Sequence, residues 1–243
     1  MNKMKKMKVY VGFDPRERTA YDVARYSILS RAKNPKKVQV IPIELSNERI
    51  SKILTRPIEK KDGKLWCPIS QAPMATEFAI SRFCVPFLEN SDWVLFCDSD
   101  MLCLDDIENL FALADDKYAV MVVKHNQNPT EKTKMDGQVQ TSYSRKNWSS
   151  LILWNCSHPS NKKLTKDMLN SLPGRDLHAF KWLEDEEIGE LPVEWNFLVR
   201  VSEKTDKPLK MLHYTLGGPW FENWEKQDMD DLWIEEARKI GKA

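Results

Sequence analysis

Short apolar runs alternate with amphipathic segments along the first half of the chain. Runs rich in Val, Ile, Leu and Phe that end at polar or turn residues predict buried strands, and apolar residues recurring every three or four positions predict helices. The predicted strands span 8–13, 38–45, 93–97 and 118–123, and the predicted helices span 17–33, 75–88 and 105–114. Strands separated by helices indicate an α/β domain with a largely parallel sheet, in which ligands bind at the carboxyl ends of the strands.

The second half of the chain is less regular. The predicted strands span 151–154 and 209–214, the predicted helices span 162–172 and 177–183, and the apolar face of a last helix consists of Met229, Leu232, Trp233, Ala237 and Ile240. The polar segment 126–147 is longer than ordinary loops inside compact domains, so we expect it to form a lid over a binding site. Neither a repeat nor a clear linker divides the sequence, and we expect one domain over residues 1–243.

Composition narrows the class of protein. Lys and Arg total 37 and Asp and Glu total 36, so the sequence has no general basic excess for binding nucleic acid. The five cysteines are odd in number and lack a paired C-x-x-C zinc arrangement, which favours a reducing compartment. The Lys-rich amino terminus lacks the apolar core of a signal peptide, and no apolar run is long enough to span a bilayer. We therefore expect a soluble, cytoplasmic protein.

Two aspartates follow the predicted strand 93–97. Successive side chains of an extended chain point to opposite faces, so Asp98 and Asp100 project in the same direction if the strand geometry persists. Two carboxylates at the end of a buried strand are typical ligands of Mn²⁺ or Mg²⁺, and such a cation commonly neutralises a diphosphate. The alternative is that the pair merely ends the strand and caps the next segment.

A histidine near the end of the chain is a candidate third ligand. His213 ends the late apolar strand, and Gly217 and Gly218 follow it in a turn whose backbone can approach a phosphate closely. An imidazole, two carboxylates, water and phosphate oxygens would complete an octahedral site. In the structural alternative, the histidine only packs and Gly-Gly-Pro is an ordinary turn.

These segments together resemble a known family. The helix with Arg82, the strand ending in Asp98-Ser99-Asp100, the strand from Leu151 to Asn155 and the His213 to Trp220 segment are similar to the family-8 glycosyltransferases of GT-A fold, the relatives of glycogenin and of bacterial lipopolysaccharide galactosyltransferases. The resemblance implies a Rossmann-like, mixed but mainly parallel sheet flanked by helices. It also implies a nucleotide-binding half at about 8–124 and an acceptor and sugar half at about 125–243.

The same resemblance implies an activity and a set of roles. The activity is metal-dependent transfer of a hexose from a nucleotide sugar, by default UDP-linked, to an acceptor hydroxyl, with retention of anomeric configuration. The implied Mn²⁺ or Mg²⁺ ligands are Asp98, Asp100 and His213. The residues implied to bind the nucleoside are Gly12, Phe13, Asp14 and Arg16, and those near the phosphates or the sugar are Arg82 and Ser99. The residues implied to bind the sugar are Ser149, Ser150 and Asn155, and those implied to line the diphosphate are Gly217 and Gly218.

The sequence departs from the family pattern at three places. Gly218 replaces a lysine that the family commonly has before the last Pro-Trp, so Arg16, Lys124 or Arg145 would have to supply that charge. The Asn-Ala-Gly before the sugar strand is replaced by 148–150, Trp-Ser-Ser. The segment expected near the reacting sugar differs too, and the candidate catalytic residues there are Asp176, His178, Asp185 and Glu186.

Other functions remain open on the sequence alone. An apolar strand before Asp-x-Asp also resembles the first motif of haloacid-dehalogenase-like phosphatases, in which Asp98 would be the nucleophile and Asp100 a general acid. A nucleotidyltransferase of the same fold and a non-catalytic sugar-binding module are further alternatives. The acceptor is not identified, although the balanced charge argues against nucleic acid.

Overall fold

The computed structural model describes residues 6–90, 92–125 and 145–242. The strands are β1 Met7–Gly12, β2 Val38–Ile43, β3 Glu59–Lys61, β4 Lys64–Cys67, β5 Ala72–Pro73, β6 Trp93–Cys97, β7 Met101–Cys103, β8 Val120–Val122, β9 Leu151–Asn155, β10 Ile188–Glu190, β11 Phe197–Leu198 and β12 Met211–His213. The α-helices are α1 Arg18–Arg31, α2 Glu48–Ser51, α3 Phe78–Ser81, α4 Val85–Leu88, α5 Ile107–Phe111, α6 Lys166–Ser171, α7 Gly174–His178 and α8 Asp230–Lys239.

The central sheet has the strand order β10-β8-β9-β6-β1-β2. β1 pairs in parallel with β2 and with β6, and β10 pairs in parallel with β8, whereas β9 runs antiparallel between β6 and β8. Apolar side chains of the inner strands are buried on both faces of the sheet, as expected for a sheet covered by helices on each side. The predicted fold class, a mixed and mainly parallel sheet flanked by helices, is confirmed.

A smaller sheet, β11-β12-β7, lies beside the carboxyl end of β6. β12 pairs antiparallel with β7, which sets His213 opposite Met101, and the Tyr214 N–H donates to the Asp100 carbonyl at 2.9 Å. α8 packs against this sheet and α1 through Trp233 and Ala237. The pairing brings a residue near the end of the chain beside the two aspartates.

Alternate residues of the central strands pack into opposite cores. Val9 and Val11 of β1 face the core that contains α1, whereas Tyr10 between them faces the other core. In that second core the Trp154 and Trp182 rings stack with centroids 6.3 Å apart. The rigid packing under β6 and β9 supports the strand ends where the polar residues emerge.

The helix predicted over 75–88 is broken into two α-helical turns. α3 and α4 are separated by a 3-10 turn at Arg82–Cys84, and Pro86 lies in the first turn of α4. Proline lacks an N–H and disrupts the interior of a helix, but it is tolerated in a first turn. The chain therefore starts a new helix near Pro86 instead of continuing α3. The break turns Arg82 toward the end of β6.

One other local prediction was wrong, and one hairpin was missed. The helix expected at 177–183 is instead α7, which ends at His178, and Phe180 has a positive φ of 51° that stops further helix. The hairpin of β3 and β4 was missed, although its Asp62-Gly63 turn has positive φ at both residues, as type I′ hairpin turns require. Its strands are largely polar and exposed, so the sequence has no apolar pattern there that would predict a strand.

The remaining strands and helices of the sequence prediction are present within a few residues of the expected bounds. The helix expected at 162–172 is shorter, because a 3-10 turn at Pro159–Lys163 precedes α6 and the Thr165 side chain caps α6 by accepting from the Met168 N–H. Within the described ranges, no helix combines the length and the apolar character needed to cross a membrane.

Candidate active site

Asp98, Asp100 and His213 form a compact cluster. Asp98 follows β6, Asp100 precedes β7 and His213 ends β12, and one ligand atom from each lies within 4.8 Å of the others. His213 Nε2 is 3.4 Å from Asp100 Oδ1. Two hard carboxylate oxygens and one imidazole nitrogen in this spacing fit a divalent cation such as Mn²⁺ or Mg²⁺. The chemistry of the donor set therefore suits the metal that the sequence predicts, and the metal role stays a prediction.

Arg82 supports the first aspartate from the break between α3 and α4. Its Nη1 lies 2.8 Å from Asp98 Oδ1 and donates to the Ser149 carbonyl at 2.8 Å. The guanidinium also lies over the Phe78 and Phe96 rings, 5.5 and 5.1 Å from their centroids. Both charged side chains are largely buried, so the ion pair and the aromatic contacts hold Asp98 in a defined position.

A cavity of about 540 Å³ opens at this cluster. Its wall includes all three candidate ligands together with Arg82, Lys146 and Arg175. Cavities of this size accept ligands such as a nucleotide bearing a sugar. Of the described residues that line the cavity, Asp98 and Asp100 are the ones that carry carboxylates. The site thus combines two acidic ligands with three basic side chains, an arrangement suited to a metal and a polyanionic ligand.

Lys146 and Arg175 were missed by the sequence analysis, which looked elsewhere for a replacement cation. Arg145 donates to the Ala179 carbonyl at 2.5 Å and pairs with Asp185, while the Lys124 ammonium lies 5.7 Å from the Trp148 ring centroid. Neither of these two side chains is on the described cavity wall. The signal for Lys146 was weak, because a one-residue shift in an irregular segment decides which side chain faces the cavity.

His178 is one of the four candidate catalytic residues and it lines the cavity. Its Nδ1 lies 2.6 Å from Ser149 Oγ, and its ring packs edge-on against Phe83. Burial, and then the positive charge of Arg82, hold the pKa of His178 well below the ordinary 6.5, so the imidazole is neutral at neutral pH. A neutral imidazole in this contact is suited to hydrogen bonding rather than to carrying charge.

Asp176 and Asp185, two of the other three candidates, are not on the described cavity wall. Asp176 pairs with Lys181 at 2.9 Å, and Asp185 is mostly exposed and pairs with Arg145. Glu186, in the 3-10 turn Asp185–Glu187, is exposed as well. The structure brings none of these three carboxylates to the metal cluster, and their catalytic roles stay predictions.

The end of the first strand is held by its own neighbours. Asp14 is buried and accepts from the Arg16 N–H and guanidinium and from the Glu77 N–H. Burial opposes ionisation of Asp14, but these hydrogen bonds outweigh it and lower its pKa. Arg16 also donates to the Ala75 carbonyl at 2.8 Å, and Phe13 packs edge-on against Tyr21. This network joins β1 to the 75–77 segment, whose Ala75 and Thr76 line the cavity.

Gly12 has a packing reason to be glycine. A Cβ at this position would lie 2.4 Å from the Phe78 ring. We expect Gly12→Ala to lower the free energy of unfolding by about 1–3 kcal/mol, because overpacking a rigid core forces side chains out of their rotamers. Urea unfolding of the single variants and of the double variant with Phe78→Ala measures the effect. In the double variant the smaller side chain at position 78 should leave room for the methyl group added at position 12, so its cost should be less than the sum of the two single costs. Additive costs would contradict the steric explanation.

Of the remaining candidates, Ser149 and Ser150 line the cavity, whereas Ser99 is buried and lies off its described wall. Gly217 has a positive φ of 108° and Gly218 packs against Trp220, so both serve the turn after His213. Neither glycine lines the described cavity, although Thr215 before them does.

The placement of Asn155 requires a correction. Because β9 runs antiparallel to β6, Leu151 pairs with Cys97 beside the site and Asn155 pairs with Trp93 at the opposite end of the sheet. Its amide donates to the Tyr118 carbonyl at 3.2 Å, and its side-chain oxygen accepts from Ser157. Asn155 is therefore too far along the strand to contact a ligand at the metal cluster.

Comparison with known proteins gives one relative in sequence and many in structure. No family model matches the chain. Protein CDI of Arabidopsis thaliana is 46% identical over 244 residues, which cover 98% of this chain and 88% of that protein. Among solved structures, the glycosyltransferase GlyE of Streptococcus pneumoniae TIGR4 superposes with a TM-score of 0.59 at 15% identity, over 96% of this chain and 60% of GlyE.

A second structural match covers both proteins almost completely. The galactosyltransferase LgtC, crystallised with donor and acceptor sugar analogs, superposes with a TM-score of 0.52 at 14% identity over 96% of each chain. At these identities the matches establish the fold, and this chain spans only three-fifths of the length of GlyE. The chain belongs to the family of protein CDI of Arabidopsis thaliana, and its fold is that of the GT-A glycosyltransferases.

Proposed function

We propose that this protein is a metal-dependent glycosyltransferase that moves a hexosyl group from a UDP-linked sugar to an acceptor hydroxyl, with retention of anomeric configuration. The observation that carries the proposal is the cluster of Asp98, Asp100 and His213 in the wall of a large cavity of a GT-A fold. LgtC, which shares this fold, was crystallised with donor and acceptor sugar analogs, and this supports a nucleotide-sugar donor here.

The charges of the cavity match the demands of such a reaction. Breaking the bond between sugar and phosphate leaves negative charge on the departing nucleoside diphosphate. A Mn²⁺ or Mg²⁺ ion held by the three-residue cluster would stabilise that charge. Arg82, Lys146 and Arg175 add positive charge on the same cavity wall, and the buried, paired Arg82 guanidinium needs little reorganisation during the reaction.

The acceptor proton has a plausible destination on the leaving group. Asp98 and Asp100 supply the carboxylates of the described cavity wall and are committed to the cation, and the low pKa of His178 makes it a weak base. In a retaining reaction the acceptor attacks on the face from which the diphosphate departs, so a phosphate oxygen lies near the attacking hydroxyl. We therefore assign the proton to that oxygen, and His178 with Ser149 to positioning the sugar.

The two halves of the domain have separate roles in this proposal. Residues 8–124 hold the nucleotide and residues 125–243 hold the sugar and the acceptor. Most of the lid expected at 126–147 falls at 126–144, outside the described residues. The GT-A fold removes the basis for a haloacid-dehalogenase-like phosphatase, whereas a nucleotidyltransferase would share the nucleotide half and is distinguished by its products.

The test of the function is direct turnover. Purified protein incubated with UDP-glucose or UDP-galactose and Mn²⁺ should release UDP as water takes the sugar in place of the unidentified acceptor, and chelation with EDTA should abolish the release. Proton NMR at early time points, before the free sugar mutarotates, then reports whether the anomeric configuration is retained. Release of UDP at an unchanged rate in EDTA contradicts the metal role, and pyrophosphate release from UTP and a sugar 1-phosphate indicates a nucleotidyltransferase instead.

Lys146 is expected to replace the positive charge that is missing at Gly218. We expect Lys146→Met to lower kcat/KM for the nucleotide sugar about 10- to 100-fold, which corresponds to one charge-assisted hydrogen bond to a phosphate. The matched control is Lys124→Met, because Lys124 contacts the Trp148 ring and is not on the described cavity wall. A larger loss in the Lys124 variant would contradict this prediction, because it would mean that Lys124 and not Lys146 supplies the charge beside the phosphate. Steady-state kinetics with saturating Mn²⁺ measures both variants.

A further inference from the structure

We infer that Asn196 is a positioning residue that sets the tautomer of His213, through hydrogen bonds that begin at the Asn147 backbone carbonyl. The inference deepens the proposed function, on which its relevance to metal binding rests. Asn196 is not a candidate ligand and does not line the cavity. It acts on the ring nitrogen of His213 that faces away from Asp100.

The four groups form a continuous chain of hydrogen bonds. Ser150 Oγ donates to the Asn147 carbonyl at 2.7 Å. Asn196 Nδ2 donates to Ser150 Oγ at 2.9 Å. Asn196 Oδ1 lies 3.0 Å from His213 Nδ1. The other ring nitrogen, Nε2, is the atom 3.4 Å from Asp100 Oδ1.

The Asn147 carbonyl, at which the chain of hydrogen bonds begins, fixes the direction of every bond after it. A backbone carbonyl can only accept, so the Ser150 hydroxyl proton is used at Asn147 and the Ser150 oxygen must accept from its other neighbour. The group of Asn196 that faces Ser150 is therefore the NH₂, which turns the amide oxygen toward His213. An amide oxygen cannot donate, so His213 Nδ1 carries the hydrogen and a neutral ring leaves the Nε2 lone pair toward Asp100.

Burial makes this assignment rigid. Asn196 is fully buried, and Ser150 and His213 are 4% and 2% exposed. The opposite tautomer would place the Nδ1 lone pair against the Asn196 oxygen. Rotating the Asn196 amide to avoid that contact would set its oxygen against Ser150, which would have to abandon the Asn147 carbonyl. Asn196 has no exposed surface and lies off the described cavity wall, so a broken hydrogen bond at its amide would leave a buried polar atom unsatisfied.

The fold brings the parts together from distant positions in the sequence. Asn196 ends the 3-10 turn Val193–Trp195 and immediately precedes β11, which pairs in parallel with β12 so that Leu198 lies opposite His213. Asn147 has a positive φ of 63°, a conformation that asparagine tolerates better than most residues. Neighbours of a ligating histidine that hold its second nitrogen orient the ring and tune its basicity.

The first test measures the tautomer in the metal-free protein. Nitrogen-15 shifts of the imidazole rings distinguish Nδ1–H from Nε2–H, and the chain has only four histidines to assign. We expect the Nδ1–H form for His213 in the wild type and loss of that preference in Asn196→Leu. A wild-type His213 ring that carries its hydrogen at Nε2 and none at Nδ1 overturns the inference, and this result does not depend on any metal.

The second test measures Mn²⁺ affinity by calorimetry. We expect Asn196→Leu to weaken binding about 10- to 100-fold, and Asn196→Asp, which keeps an oxygen that accepts from Nδ1, to restore it. The control is Asn161→Leu, because Asn161 is also buried but donates to the Ala119 and Asn155 carbonyls. Wild-type affinity in Asn196→Leu overturns the inference. Failure of the wild type itself to bind Mn²⁺ overturns the proposed metal site, while the tautomer measurement still decides the role of Asn196.

Discussion

Replacing Asp100 with asparagine is expected to abolish metal-dependent turnover of the nucleotide sugar, with a loss of about 10³-fold or more in kcat/KM. The substitution keeps the size of the side chain and removes the negative charge that holds a cation. Asp98→Asn should cause a similar loss of turnover. The measurements are UDP release over a range of Mn²⁺ concentrations and direct Mn²⁺ binding by calorimetry.

The two variants are expected to differ in stability, which makes Asp100→Asn the cleaner test. Asp98 pairs with the buried Arg82 guanidinium, so its neutralisation leaves a buried cation without its counter-charge. A matched control is Asp105→Asn, because Asp105 lies in the same region of the chain and pairs with Lys210 at 3.6 Å on the surface. Full turnover by Asp100→Asn, or equal loss in the Asp105 variant, would refute the metal site.

Arg82→Met is expected to lower the free energy of unfolding by about 3–5 kcal/mol in EDTA, because it leaves the Asp98 carboxylate buried without its partner. It also removes the hydrogen bond to the Ser149 carbonyl. Turnover should fall by about 10²-fold or more, since a fixed cation is lost beside the leaving group. Urea unfolding and steady-state kinetics measure the two effects separately.

A double-mutant cycle makes the stability prediction specific. Removing both charges in the double variant with Asp98→Asn should cost clearly less than the sum of the two single costs, because no charge is then left unpaired. The control cycle pairs Asp98→Asn with Arg49→Met, in which an exposed arginine loses a hydrogen bond to the Leu88 carbonyl. Its two costs should add. Additive costs would mean that the Arg82–Asp98 contact does not couple the two residues.

The candidate metal ligands could be anticipated because their signals are local. The apolar run of β6 ends at Cys97, as predicted, but Ser99 and Asp100 lie in a turn, so the turn and not continued strand alternation brings the two carboxylates together. His213 was placed by the apolar strand before it together with the family resemblance. Its contact with Asp100 depends on the pairing of β12 with β7, which no local pattern encodes.

The errors have physical causes that can be named. The direction of β9 in the sheet decides that Ser150, and not Asn155, lies beside β6 at the site, and an apolar run reads the same in either direction. Arg145 and Lys146 are adjacent in sequence, and the positive φ values at Arg145 and Asn147 decide which side chain lines the cavity. Local periodicity carries no information on such backbone turns.

The sequence by itself determined the α/β class, the strand that ends in the acidic pair and the expectation of a divalent cation, because hydrophobic periodicity and carboxylate chemistry are properties of short segments. Only the tertiary structure decided which distant residues complete the site. The hydrogen bonds from Asn147 through Ser150 and Asn196 to His213 join the segments that precede β9 and β11 to the end of β12. Their directions depend on burial and on strand pairing, which arise when the chain has folded.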